Sequence, residues 1–308
     1  MPVGPTAKMA VSRPNGALNS SCSSSDLADK LQVMQVFAPA KINLSLRILG
    51  RRDDGFHEIE TFIAPISLHD EITIDKKRSG VRFRCYDPSV PAGEENLVVR
   101  AAREFFQRTN VKGGASIALR KTIPHGAGLG GGSSDAAATL LALNQLFKTK
   151  LPRGALAELG SRIGSDIPFF IFQSAALCRG RGELITPQKL KEQLSILLLK
   201  PGFAVPTSWA YSRWKDSLQL PDVSYVPQEF AGHTFVNDLE RPVFEKFVFL
   251  AELKMWLLKQ PEVGAALMSG SGSTIFAVIR GNADIDLVAK RACEELDREI
   301  WTCACETI

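Results

Sequence analysis

The run "IPHGAGLGGGSSDAA", residues 123–137, sets five glycines and two serines directly ahead of an alanine-rich apolar stretch. Backbone without side chains lets several N–H groups converge on one anion, and a helix opening behind them adds the positive end of its dipole. That is chemistry for holding phosphate. A flexible linker is flanked by polar sequence, whereas this run joins an apolar strand to a buried helix. A G-x-x-x-x-G-K-[ST] loop requires a lysine that reaches the terminal phosphates, and Ser and Asp stand in its place. The formal G-x-G-x-x-G match at Gly126, Gly128 and Gly131 lacks a second strand ending in an acid about 20 residues on. A dinucleotide site is therefore the minor alternative. A tight turn with no ligand needs one or two glycines, and this run exceeds that need.

Two charged residues could act beside a bound phosphate. Asp166, in "GSDIPFF", has two readings: a helix N-cap ahead of Pro168, or a general base. Lys41 lies on the polar face of an apolar strand, where a lysine is ordinarily solvated. Beside an acid in a cleft it would instead keep that acid ionised and draw charge from an attacking hydroxyl. In "DGFHEI", Phe56 offers a flat face for a nucleobase and His57 a hydrogen-bonding edge, with ordinary core as the alternative for Phe56.

These residues need elements to hold them. From Val36 to Ile48 the alternation puts Val36, Ala38, Ala40, Ile42, Leu44, Leu46 and Ile48 on one face, and Lys41, Asn43, Ser45 and Arg47 on the other. "GRRDDG" reads as a hairpin turn and "FHEIETFIAPI" as the returning strand. Further strands are expected at residues 71–75, 81–85 and 116–120, with a helix over 97–109. Behind the glycines, Ala136, Leu140, Leu143 and Phe147 recur at helical spacing. Ser133 or Ser134 can cap that helix, and Asp135 in its first turn suits the dipole. A helix at 153–162, a strand from "AALCRGRGELITP" and a buried strand at "LSILLLKPG" follow. The tail alternates helix (243–258), strand (265–268), turn "SGSGS", strand (274–279) and helix (285–296). Strands first, with helices interspersed, is an α+β pattern, with a boundary placed near Leu190: 33–190 and 191–308.

Composition narrows the function classes. Hydrophobic residues form 45% of the 308-residue chain and charged residues 23%, as in folded globular proteins. The net charge of +4 is scattered and forms no basic block, which argues against a nucleic-acid partner. Apolar stretches fall short of the roughly 20 residues of a membrane helix. Cys22, Cys85, Cys178, Cys293, Cys303 and Cys305 have no zinc or redox spacing of the usual kind and read as free thiols of a reducing, cytoplasmic compartment. Residues 1–32, rich in Ser, Asn and Pro and without an acid before Asp26, read as a disordered extension, with a targeting peptide as the alternative.

Pro124 to Ser134 resembles the phosphate loop of the GHMP kinases, P-x-x-x-G-L-G-x-x-S-S, with one extra glycine. "APAKINLSL" (38–46), "RRDDGFHEIET" (51–61), "ENLVVRAA" (95–102), "GSDIPFF" (164–170), "GRGE" (180–183), "NDLE" (237–240) and "MSGSGSTIFAV" (268–278) are similar to the branch acting on a cytidine diphosphate-linked methylerythritol. The resemblance implies a two-domain fold, an N-terminal half like ribosomal protein S5 domain 2 and a ferredoxin-like C-terminal half, with ATP and substrate between them. It implies transfer of the ATP γ-phosphate to the substrate 2-hydroxyl, with Asp166 as base and Lys41 beside it. Asn43 would bind the methylerythritol hydroxyls, Phe56 and His57 the cytosine, and Tyr211 its opposite face, with Trp209 competing for that role. Many members carry Tyr at the position of Phe56, so this chain keeps the stacking face without the hydroxyl.

For ATP, the resemblance assigns Asn96 and Lys121 to the adenine side. The phosphates fall to Pro124, His125, Gly126, Ala127, Gly128, Leu129, Gly130, Gly131, Gly132, Ser133 and Ser134. Mg²⁺ is expected with ATP, touched by Ser133 or Ser134 if these hydroxyls do not serve as caps, and with no further protein ligand assigned. Ser269, Gly270, Ser271 and Gly272 would close over the substrate phosphates, a plain hairpin turn being the alternative. "GRGE" reads as structural, near the cleft. A small-molecule substrate, no membrane and a monomer or weak homodimer complete the expectation. Homoserine or mevalonate-type kinases are the runners-up within the superfamily, and a non-catalytic nucleotide- or RNA-binding protein on the same scaffold is the alternative outside it.

Overall fold

The computed structural model describes residues 33–88 and 90–308; the expected N-terminal extension and Cys22 lie outside the described residues. Strands β1 (Val33–Arg51) and β2 (His57–Lys77) form a long antiparallel pair. Its turn is set locally, with the Asp54 carboxylate accepting from the Phe56 N–H and from Arg52 Nε. The sequence suggested two strands where β2 is one. Pro39 pairs with His69 and Ala40 with Ile66, so a bulge absorbs the extra residues without ending the ladder.

Next come β3 (Gly80–Cys85), α1 (Leu97–Thr109), β4 (Gly114–Arg120), α2 (Gly131–Leu146), α3 (Arg153–Ser161), α4 (Ile167–Phe172), β5 (Ala176–Gly180) and β6 (Leu184–Pro187). The later residues supply β7 (Ser195–Lys200), α5 (Thr207–Arg213), β8 (Gln228–Phe230), β9 (His233–Asn237), α6 (Glu240–Lys246) and α7 (Val248–Leu258). They end with β10 (Val263–Met268), β11 (Ile275–Ile279), α8 (Ile285–Glu295) and β12 (Trp301–Glu306). The helix expected over 243–258 is interrupted at Phe247, whose φ of −109° and ψ of 67° are not helical.

One sheet has the order β3-β4-β2-β1-β9-β8, with β5 and β6 attached along β2; the other has the order β10-β11-β7-β12. Strand β9 runs parallel to β1 at Ser45 and Leu46, so late residues complete an early sheet. The middle of β1 is buried on both faces. Ala40, Ile42 and Leu44 pack between the sheets with Phe235 and Phe276, while Lys41 and Asn43 are buried on the opposite face. Against β2 and β4, Ala136, Ala137, Leu140 and Leu143 of α2 join Val98, Ala102 and Phe105 of α1 around Ile72, Ile74 and Ile117. A third cluster unites Phe244, Leu250, Leu253 and Leu257 with the inner residues of β7, β10 and β11.

A buried charge cluster fastens β2 to the start of α2. Lys121 Nζ pairs with Asp70 and, at 2.9 Å, with Asp135. Asp70 Oδ1 also accepts the N–H groups of Thr122 (2.6 Å) and Ile123 (2.9 Å). Burial works against the Lys121 charge, yet Asp135 and Asp70 hold its pKa above the ordinary value. Burial lifts the Asp135 carboxyl above the carboxylate range, with Lys121 pulling back. Two acids share one ammonium, and Asp135 is the one left short of partners: its Oδ1 is buried with none. Folding therefore binds a proton at Asp135 in the window above the ordinary carboxylate pKa, and stability falls as pH rises through that window. Asp135→Asn is expected to remove this fall in urea unfolding followed from about pH 5 to about pH 8, with little loss at the acid end. Asp70→Ala, which leaves the Thr122 and Ile123 N–H groups without their acceptor while Lys121 keeps Asp135, should cost about 1–3 kcal/mol in the same measurement.

Candidate active site

A cavity of about 990 Å³ is lined by β1, the β1–β2 hairpin, the glycine run, α4, α5 and the turn between β10 and β11. Its floor is β1. The Lys41 N–H donates to the Leu129 carbonyl at 3.0 Å, tying the strand to the glycine run. Lys41 Nζ donates to Asn43 Oδ1, and Asn43 Nδ2 donates to Thr61 Oγ1 at 2.8 Å. Thr61 Oγ1 donates in turn to the Ser45 carbonyl, so the Asn43 amide is fixed with its oxygen toward the lysine. Burial lowers the Lys41 pKa, opposed by the negative charge of Asp166. The same carboxylate, after burial, raises Cys178 to about 12 and Tyr211 above its ordinary value, so both stay protonated at neutral pH.

Asp166 occupies the N-cap position of α4 with φ −84° and ψ −13°, yet its side chain makes no capping hydrogen bond. The carboxylate is left for the cavity it lines, where Lys41 feels its charge. Gly182 leaves room beside it: a Cβ there would lie 3.9 Å from Asp166 Oδ1. "GRGE" thus belongs to the cavity wall, and the guanidinium of its Arg181 sits 4.7 Å from the centre of the half-exposed Phe56 ring.

Helix α2 begins at Gly131, with Gly130 as N-cap at φ 70° and no side-chain cap bond. The expected caps are corrected accordingly. Ser133 and Ser134 lie inside the first turn because the left-handed Gly130 has already turned the chain into the helix; Ser134 Oγ is buried without a partner. The N–H groups of Gly131, Gly132 and Ser133 have no acceptor within the helix and are open to an anion. Pro124, His125, Gly126, Ala127, Gly128 and Leu129 line the same wall, with His125 exposed at the rim.

The glycine count has a packing cause that the sequence reading did not include. A Cβ on Gly128, at φ 76°, would stand 2.2 Å from the Ser269 carbonyl oxygen and 2.8 Å from that of Gly272. On Gly130 it would meet the Phe170 ring at 2.8 Å and Lys41 Cγ at 3.1 Å. The glycine run and "SGSGS" therefore touch backbone to backbone. Ser269 Oγ donates to the Gly128 carbonyl at 3.0 Å, and the Thr274 N–H donates to the Ala127 carbonyl at 3.2 Å.

"SGSGS" is more than a hairpin turn, because "NDLE" grips it from behind. Asn237 Nδ2 donates to the carbonyls of Met268 and Gly270, at 2.7 Å each. Glu240 accepts the Met268 N–H at 2.9 Å and pairs with the buried Lys254 at 2.6 Å. Asn237 and Glu240 received no role from the sequence; only the repetition of "NDLE" within the family pattern marked them. Gly270 and Ser271 line the cavity, and the Ser271 and Thr207 hydroxyls are 2.8 Å apart.

On the remaining wall, the His57 and Tyr211 ring centres are 5.3 Å apart, and Trp214 meets His57 edge-on at 6.0 Å. Trp209 points elsewhere, against Phe247 and beneath Lys246. Tyr211, not Trp209, lines the cavity, and Trp214 joins it. The signal for Trp214 was its spacing of three residues from Tyr211, which places both on one helix face. Burial, with Arg51 nearby, lowers the His57 pKa and favours a neutral imidazole. Asn96 caps α1, its Oδ1 accepting the Val98 N–H and its Nδ2 donating to the Pro91 carbonyl, and it borders the cavity beside Lys121.

Residues 96–174 match the GHMP kinases N terminal domain and residues 229–298 the GHMP kinases C terminal domain. The chain is 45% identical over 248 residues to the 4-diphosphocytidyl-2-C-methyl-D-erythritol kinase of Methylacidiphilum infernorum, covering 79% of this chain and 85% of that protein. It is 38% identical to the Syntrophotalea carbinolica enzyme of the same name, over 86% and 95% of the two chains. A crystal structure of 4-(cytidine 5'-diphospho)-2C-methyl-D-erythritol kinase superposes with a TM-score of 0.73 at 36% identity, covering 89% of this chain and 99% of that one. A homoserine kinase from Cytophaga hutchinsonii, at 18% identity and TM-score 0.65 over 90% of this chain and 94% of that one, shares the fold. With its two sheets, its glycine run and its similarity along most of its length, the chain belongs to the 4-diphosphocytidyl-2-C-methyl-D-erythritol kinases of the GHMP kinase family.

Proposed function

We propose that the chain transfers the γ-phosphoryl group of ATP to the 2-hydroxyl of 4-diphosphocytidyl-2-C-methyl-D-erythritol, in the non-mevalonate route to isoprenoid precursors. The observation that carries this reading is the placement of the buried Lys41 where it feels the charge of Asp166, both lining a cavity walled by the α2 N-terminus. Phosphoryl transfer asks chiefly for alignment and charge stabilisation, with an acceptor for the hydroxyl proton. Asp166 takes that proton: its carboxylate is not engaged as a cap and lines the cavity with Lys41. Lys41, held by Asn43, also steadies the oxygen that loses the proton. The open N–H groups of α2 receive the phosphates.

The cavity suits the ligands this requires. Its backbone donors fit a polyphosphate, and its oxygen groups, the Ser133 hydroxyl and Asp166 carboxylate, suit Mg²⁺, which keeps waters and substrate phosphates among its ligands. When bound, the ion would neutralise charge on the transferring group. We place the cytosine on Tyr211 with neutral His57 at its edge. The His57–Tyr211 spacing is too close for a base to enter between these two rings.

ADP release measured with Mg-ATP should be supported by the cytidine-linked alcohol, and not by homoserine or mevalonate; the reverse preference would overturn the substrate assignment. Asp166→Ala is expected to lower kcat about 10²–10⁴-fold with little change in either KM. Because burial lowers the Lys41 pKa, the rate should decline on the alkaline side below the ordinary lysine range, and Lys41→Arg should move that limb upward in whatever activity remains. Gly128→Ala, which drives the two glycine turns apart, should raise the KM for ATP in initial-rate titrations.

A further inference from the structure

Strand β12 closes one edge of the second sheet, paired only with β7 in the sheet order. Cys303 lies opposite Leu198 and Cys305 opposite Ile196, so the two cysteines are alternate residues on one face of the strand. Both are free and half-buried, packed side by side at the margin of the core between the sheets, and Cys303 Sγ donates to the Ala304 carbonyl. No other pair of cysteines is so placed among the described residues. Cys178 is sealed in the core beside Asp166, and Cys293 donates to the Ile300 carbonyl.

We propose that Cys303 and Cys305 form a dithiol modification site that exchanges with low-molecular-weight disulfides and closes into an intramolecular disulfide. Alternate Cα atoms of a strand are separated by about 6.4–6.8 Å. This is the upper end of the Cα span a disulfide bridges, about 4.4–6.8 Å, and the parallel Cβ atoms must close to about 3.5–4.5 Å, so closure bends β12 locally and gives a strained bond that thiols readily reopen. The bend disturbs the ladder to β7, while the Glu306, Thr307 and Ile308 N–H groups anchor the strand beyond it.

The roles within the pair differ. The neighbouring Cys305 thiol lowers the Cys303 pKa, favouring its thiolate, while Cys303 and burial raise that of Cys305. Cys303 thiolate attacks one sulfur of the incoming disulfide, forming a mixed disulfide and expelling one thiolate. Cys305 gives up its proton and attacks the Cys303 sulfur, expelling the second thiolate. The cysteine pair loses two electrons and two protons, and the small disulfide becomes two thiols.

The probe is oxidised glutathione applied to the native chain, followed by alkylation, trypsin and mass spectrometry. Cleavage after Arg298 yields residues 299–308, which carry both cysteines and no other. The expected wild-type peptide is lighter by two hydrogens and carries no glutathione, and it returns to the dithiol form with dithiothreitol. Cys305→Ser should retain glutathione on Cys303, because no second thiol can expel it. Both Cys303→Ser and Cys305→Ser should keep wild-type circular dichroism and ADP release, showing that the fold is intact. An unmodified wild-type peptide, a persistent glutathione adduct on it, or a disulfide between two chains on a non-reducing gel would each overturn the proposal.

Discussion

The close approach of Gly128 to the Ser269–Gly272 backbone is the contact on which the site depends. The glycine run has few side chains with which to anchor itself. It is held through its own carbonyls: Leu129 accepts from Lys41 on one side, and Ala127 and Gly128 accept from Thr274 and Ser269 on the other. One main-chain segment is thereby clasped between the first strand and a turn formed more than a hundred residues later. Adding one methyl group at Gly128 would separate surfaces whose polar groups have no other partners at that depth, and buried groups left unpaired are costly.

Behind this contact, three buried lysines solve one electrostatic problem in three ways. Lys254 is neutralised by Glu240 and stiffens the support of the turn. Lys121 is shared between Asp70 and Asp135 and joins β2 to the base of α2. Lys41 has a neutral amide as its hydrogen-bonding partner, and its counter-charge, Asp166, makes no cap bond. The first two are closed circuits that hold backbone in place. The third is not closed into an ion pair, and its two members line the cavity.

Much of this was legible in the sequence where a local rule applies. Alternation along β1, helical spacing in α2 and the apolar run of β7 gave elements close to those observed, because burial of a single face dictates those patterns. The glycine run stood out in the sequence, but the reason offered for its glycines was incomplete: Gly128 and Gly130 answer to neighbours distant in sequence. The caps misled at Ser133 and Ser134, since a left-handed glycine at position 130 takes over the work of a side chain. Helix α5 and strands β8, β9 and β12 escaped detection because each is short and acquires its form from tertiary pairing. Asn237 shows the limit most clearly: an asparagine at the end of a five-residue strand has no sequence signature that says which carbonyls it will hold.

The parallel seam between β1 and β9 has a consequence for how the chain comes into being. Ile48 and Asp238, bonded across that seam, are separated by 190 residues. At ribosomal speeds of about 5–20 residues per second, β1 waits roughly 10–40 s for the partner that covers this edge. Until then a long, apolar strand pair presents unpaired backbone to the crowded interior of the cell. Residues made 190 positions later thus act as the closing clasp of this sheet, and the site matures only after they have emerged.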